Sequence, residues 1–176
     1  MAITLHADGR ILNSAGINIA AAPMVDMWRL HSDHTIATSA NSYITSNWER
    51  VDTDGFSKIG DGLTESSGVF SFPQTGIYQI SCIFNFRRAS GSERYVYNSI
   101  MVTQDNGTYD SAATSYASTA DAYFRSFNHL SCVFDVTNIS THKFKIREYS
   151  YNGSTTAESE TSENANYITV VRLGDT

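Results

Sequence analysis

The segment Gly68–Phe86, GVFSFPQTGIYQISCIFNF, alternates large apolar residues with small or polar ones, broken once at Pro73-Gln74-Thr75-Gly76. Residues two apart on an extended chain point to the same side. From Gly76 onward, Tyr78, Ile80, Cys82, Phe84 and Phe86 therefore line one face, and Ile77, Gln79, Ser81, Ile83 and Asn85 line the other. A period of two sustained over this length excludes a helix and predicts a long β-strand with one apolar side. The opposite side is mixed. A fully solvated face would not carry two isoleucines, so Ile77, Gln79, Ser81 and Ile83 are assigned to a subunit interface.

The rest of the chain follows the same rule. Further strands are predicted at Val25–Leu30, Trp48–Val51, Gly68–Phe72, Tyr95–Gln104, Phe127–Val136, Lys143–Tyr149 and Asn166–Leu173, with no sustained helical periodicity anywhere. Only 17% of residues are charged, against about 25% in ordinary domains. Ser, Thr, Asn and Tyr fill the difference, which suits half-exposed strands. Asn106-Gly107 and Asn152-Gly153 supply residues that tolerate the positive φ of tight turns. These features predict one all-β domain, an antiparallel sandwich or barrel of 176 residues.

Two segments stand apart. In Lys143–Tyr149, Phe144 and Ile146 are expected to face inward, leaving Lys143, Lys145, Arg147 and Tyr149 on the other side. That side is either a solvated cationic face or, as assigned here, the rest of the subunit interface, its cations paired with carboxylates of a neighbour because a buried unpaired charge is too costly. Residues 1–23 have few large side chains and are expected to form an extended attachment arm. Asp8-Gly9 could turn a small hairpin there, pairing Ile3–Leu5 with Arg10–Leu12.

Phe70 precedes Gly76-Ile77-Tyr78 by the spacing found in C1q/TNF-like jelly rolls, and Leu63 holds the large-residue position seven before Phe70. The chain resembles that family from about Met24 to Leu173, with Trp48 in an early strand and NYITVVRLG as the last. Lys58 stands where the family usually has Asn or Asp, and Ile80 and Cys82 replace a usual aromatic pair. The resemblance implies a ten-strand, two-sheet sandwich over residues 24–176 that assembles as a homotrimer, its inner sheets meeting at the three-fold axis. The phrases DGRILNSAG, NWERVD, GVFSFPQTGIYQI and FDVTNIST are also similar to virion proteins of tailed phages, where such modules serve as capsid decorations, knobs or fibre tips.

That resemblance implies a non-enzymatic structural protein on the virion surface, synthesised in the host cytoplasm and bound to capsid or tail proteins through the arm. The alternative is a fibre-tip module that recognises host-surface glycans. The net charge of −6 disfavours nucleic acid, whose affinity comes from Lys and Arg on phosphates. Met1–Arg10 lacks a secretory signal, no apolar run is long enough to cross a bilayer, and no membrane partner is expected. No Gly-x-Ser-x-Gly elbow or phosphate-binding loop occurs.

His31-Ser32-Asp33-His34 is read as loop, where its spacing does not converge on a metal. Asp52-Thr53-Asp54-Gly55 starts like a calcium loop, but its glycine comes too early. Glu158, Glu160 and Glu163 read as a solvated acidic loop. No catalytic residue, metal or cofactor is assigned. Cys82 and Cys132, in the matching tetrapeptides SCIF and SCVF, are either buried free thiols or a bridge across the core. The strongest binding candidate is the loop Thr108–Ser126, where Tyr109, Tyr116 and Tyr123 alternate with small residues in the manner of antibody binding loops. An edge strand or an ordinary surface loop is the competing reading.

Overall fold

The computed structural model describes residues 3–5 and 11–13, as backbone pairing, and residues 23–53, 55, 56 and 58–176 in full. Near the start, β1 (Ile3–Leu5) pairs with β2 (Ile11–Asn13), Leu5 opposite Ile11. The partner strand begins one residue later than the sequence predicted. The Asp8-Gly9 turn and most of the arm lie outside the described residues.

The domain proper begins with β3 (Met24–Leu30), β4 (Ser32–Ile36), β5 (Ser42–Tyr43), β6 (Trp48–Arg50), β7 (Thr64–Ser66) and β8 (Val69–Ser71). The long strands follow: β9 (Gly76–Arg88), β10 (Glu93–Thr103), β11 (Asp110–Thr119), β12 (Arg125–Val136), β13 (Lys143–Ser150), β14 (Thr155–Glu160) and β15 (Tyr167–Gly174). No helix occurs among the described residues.

Two sheets form. In the first, β9 pairs with β12 on one side and β15 on the other, followed by β3 and β6, while β14 and β4 extend the far end of β9. In the second, the order is β11-β10-β13-β8-β7, with β5 alongside β13. From β8 onward the chain crosses to the first sheet at β9, returns for β10 and β11, crosses at β12, returns at β13 and ends in the first. This alternation makes a two-sheet jelly-roll sandwich.

The apolar side of β9 forms the middle of the core, with Tyr78, Ile80, Cys82, Phe84 and Phe86 all buried. Phe70 on β8 sits opposite Phe144 on β13, their rings stacked at 4.9 Å, and Trp48 meets Phe70 edge-on at 5.3 Å. Such pairs add roughly 0.5–1.5 kcal/mol each beyond the area they bury. Tyr78 satisfies its hydroxyl by donating to the carbonyl of Gln74 at 2.8 Å, inside the Pro73–Gly76 break.

Gly68, expected within a strand, instead turns the β7–β8 hairpin. Ser67 and Gly68 have φ of 51° and 79°, and Ser66 pairs with Val69. Two positive φ values in a two-residue connection match the twist of the flanking strands. A side chain at Gly68 would strike the carbonyl oxygen of Ile44.

The sheets hold six and seven strands among the described residues, more than the ten in all implied by the resemblance. The extra strands are short or polar. Ser32–Ile36, whose first three residues were read as loop, pairs with Thr155–Glu160, from the polar stretch also read as loop, Thr155 opposite Ile36. Main-chain hydrogen bonding at a sheet edge needs no apolar alternation, so the sequence pattern carries no trace of it.

Candidate functional site

The outer face of the first sheet is built by register. One row across four strands reads Val25, Val171, Gln79, Val133; the next reads Met27, Thr169, Ser81, Ser131. Ile83 lies between Tyr167 and His129, and Ile77 lies beside Asp135. The two central rows hold no Lys, Arg, Asp or Glu. Ser81 and Ser131 share a hydrogen bond of 3.1 Å. Val133 is 64% exposed and Phe127 61%. The face is uncharged at its centre and partly apolar, the composition found at the centre of protein interfaces.

Ile77, Gln79, Ser81 and Ile83 thus share one surface, as their alternation requires. Phe127 and Val133 belong to it and were missed. The signal was present: they alternate with Leu130, Phe134 and Val136, which are buried.

Lys143, Lys145, Arg147 and Tyr149 do not join that surface. They lie on β13, in the other sheet, and face away from the sandwich on its opposite side. The single eight-residue interface read from the sequence is corrected accordingly. Alternation tells which side of a strand is apolar, but not which sheet the strand enters.

What these residues meet is different. Tyr116, Tyr97 and Tyr149 stand side by side in one row across β11, β10 and β13, and Thr114, Ser99 and Arg147 form the next. The rings of Tyr97 and Tyr149 are stacked, their centres 5.1 Å apart and their planes 2° from parallel. Tyr95 stacks on the same Tyr149 at 5.7 Å, and Tyr116 closes on Tyr97 at 5.2 Å.

The cations sit among the rings. Arg147 lies over Tyr97 at 5.5 Å and donates to Ser99 Oγ at 3.1 Å. Lys145 Nζ is 3.8 Å from the ring centres of both Tyr43 and Tyr109, and burial there lowers its pKa. Arg94 lies over Tyr151 at 5.0 Å. Among the described residues no carboxylate forms an ion pair with Arg94, Lys143, Lys145 or Arg147.

The tyrosine loop read at Thr108–Ser126 is mostly the edge strand β11. Tyr109 and Tyr116 reach the cationic face; Tyr123 does not. It lies just before β12, 70% exposed, with Arg87 over its ring at 5.5 Å. Tyr43, Tyr95, Tyr97 and Tyr151 were missed. The repeats Tyr95-Val96-Tyr97 and Tyr149-Ser150-Tyr151 carry the alternation that places them.

The remaining candidates are structural. His34 lies on β4, not in a loop, and bonds Glu148 Oε1 through Nε2 at 2.7 Å. Of the Asp52–Gly55 stretch, Asp54 lies outside the described residues and Asp52 lies 3.8 Å from Arg29. Glu158 pairs with Arg87 and Arg125 in a shallow cleft of about 260 Å³ that also borders Glu160 and Glu163. No cluster of His, Cys, Asp and Glu suited to a metal occurs among the described residues. Cys82 and Cys132 are free thiols on the neighbouring strands β9 and β12. Burial raises both pKa values, that of Cys132 to about 11.

No protein-family model matches the chain, and no curated protein matches its sequence. Solved structures do match its fold. Murine APRIL superposes with a TM-score of 0.60 at 13% identity, covering 86% of this chain and 99% of that one. The Eiger TNF of S. frugiperda gives 0.62 at 10% identity, covering 88% and 95%. The fold is therefore a TNF-like jelly roll. At these identities the likeness concerns the fold alone.

Proposed function

We propose that the chain is a non-enzymatic, homotrimeric structural protein of a phage particle surface, three copies closing on the outer face of β3, β15, β9 and β12. The observation that carries the trimer is the charge-free centre of that face, with Val133 and Phe127 standing out of it. Isolated apolar residues on a surface are ordinary; a charge-free sheet face on which several lie together calls for a partner. A closed symmetric assembly covers such a face with a second copy of itself. The TNF-like fold supports the same reading. The particle setting rests on the sequence phrases quoted above, with residues 1–23 as the attachment segment.

Gel filtration with light scattering tests the assembly. The wild type is expected at three times the 19.4 kDa chain mass. Ile83→Asp and Val133→Asp are expected to dissociate or aggregate it, since a charge buried without a partner costs about 3–5 kcal/mol. Tyr116→Ala, on the opposite sheet, leaves the mass unchanged. A monomeric wild type ends the proposal. Particles lacking the protein, restored by adding it back, test the structural role.

A second reading, a receptor-binding module at a fibre tip, is favoured by the tyrosine and cation face of the other sheet. Failure of the protein to adsorb to host cells would remove it.

A further inference from the structure

The outer face of β5, β10, β11 and β13 collects most of the chain's surface tyrosines and four of its cations. We propose that this face binds an anionic saccharide, a short chain of sugar rings bearing carboxylate or sulfate groups. The assignment deepens the receptor-binding reading by naming the ligand class, and it stands without the trimer.

Four observations carry it. The rings of Tyr97, Tyr149 and Tyr116 form a continuous row about 10 Å across three adjacent strands, enough for a short oligosaccharide. Their bodies are half-buried except for Tyr116, which is 65% exposed. Phenol hydroxyls both donate and accept; that of Tyr97 donates to Asn41 Oδ1 and can still accept from a sugar hydroxyl, while the stacked Tyr97 and Tyr149 present ring edges and the exposed Tyr116 a ring face to C–H surfaces.

The charge is the third observation. The chain has 18 acids against 12 Lys and Arg, yet Arg94, Lys143, Lys145 and Arg147 cluster here with no carboxylate pairing them among the described residues. The contacts of Arg94, Lys145 and Arg147 are aromatic faces, a serine hydroxyl and the Tyr151 hydroxyl, which leave donors over for an anion. Arg presents a planar fork suited to carboxylate or sulfate oxygens.

The fourth observation separates sugar from nucleic acid. Tyr97 and Tyr149 already stack on each other at 5.1 Å, a spacing too narrow to admit a base between them. A net charge of −6 also repels a long polyanion.

The test titrates full-length protein with four labelled probes of matched length: an oligogalacturonide, a sulfated dextran oligosaccharide, a neutral malto-oligosaccharide and single-stranded oligothymidylate. One or both of the first two are expected to bind, and which one does separates a carboxylate from a sulfate source. The neutral probe is expected at least about tenfold weaker, the step expected for losing roughly one charge-assisted contact.

Tyr116→Ala and Arg147→Gln should each weaken binding about tenfold, while Tyr123→Ala leaves it unchanged. Circular dichroism checks folding, and Arg94→Gln, at an exposed position, replaces Arg147→Gln should the latter not fold. The assignment is overturned by failure of both anionic saccharides, by equal binding of the neutral sugar or DNA, or by wild-type affinity in the face variants. Saccharide binding without host-cell adsorption would remove only the receptor reading. Adsorption without saccharide binding would remove only the ligand assignment.

Discussion

Asp26, on β3 and fully buried, shows how single residues fasten this sandwich. Its carboxylate accepts from Arg50 Nε at 3.0 Å, Trp28 Nε1 at 3.0 Å and the amide of Leu63 at 2.7 Å. One side chain thus joins β3, β6 and the segment entering β7. Removing it takes the acceptor from the Leu63 amide and the Trp28 indole N–H and leaves Arg50 with the Leu63 carbonyl and the Trp28 ring. Asp26→Ala is expected to cost about 3–5 kcal/mol, visible as a large fall in Tm by calorimetry, with Asp26→Asn intermediate.

The cysteines add a pH dependence at the same scale. Cys132 has its thiol pKa raised to about 11 from 9.0, and burial raises that of Cys82 too. A raised folded pKa means the neutral thiol is favoured in the fold. That stability is complete below the unfolded value and is lost as pH climbs between about 9 and 11. Denaturant midpoints measured from pH 8 to 10.5 should fall less steeply in Cys132→Val than in the wild type.

Among the elements, β9 organises the whole, pairing with β12 along all but its last residue and with β15 along its first half. The β10–β11 hairpin depends on a smaller device. Asp105 accepts from the amides of Gly107 and Thr108, each at 2.8 Å, and from Thr103 Oγ1 at 2.9 Å, with Asn106 at positive φ between them. These bonds favour the charged form and depress its pKa to about 2 from 3.8. The contribution is present above about pH 4 and fades as pH falls toward 2. Asp105→Ala should lower the protection factors of the Gly107 and Thr108 amides in hydrogen-exchange NMR, and acid should lower them in the wild type once the intrinsic exchange rates are divided out. Global Tm should barely move, because the connection is exposed.

For the whole molecule, the two sheets present outward faces of opposite character. One is uncharged at its centre and partly apolar; the other is aromatic and cationic. On the proposed assembly the first is covered and the second faces outward three times over, so a multivalent ligand would gain avidity without new contacts. Association of folded copies also links stability to concentration. The wild-type Tm should therefore rise over a tenfold to hundredfold increase in protein, and that of Val133→Asp should not.

Much of this was readable along the chain. The period-two aromatic runs located β3, β9, β10, β12, β13 and β15 within a residue or two, because burying one side of a strand imprints alternation locally. The short strands β4, β5 and β7 and the polar β11 and β14 left no such imprint, since backbone hydrogen bonds at an edge are indifferent to side-chain type. The four outward residues of β9 could be grouped for the same reason as the inward ones.

The site on the second sheet could not be assembled that way. Tyr97, Tyr116 and Tyr149 are far apart in sequence and meet only through the registers of β10 with β11 and β13. The sequence by itself determined which sides of the long strands are apolar, through the local geometry of an extended chain. Only the tertiary structure decided which strands share a sheet, and so which outward side chains share a face. That choice depends on long-range pairing, which no local pattern encodes.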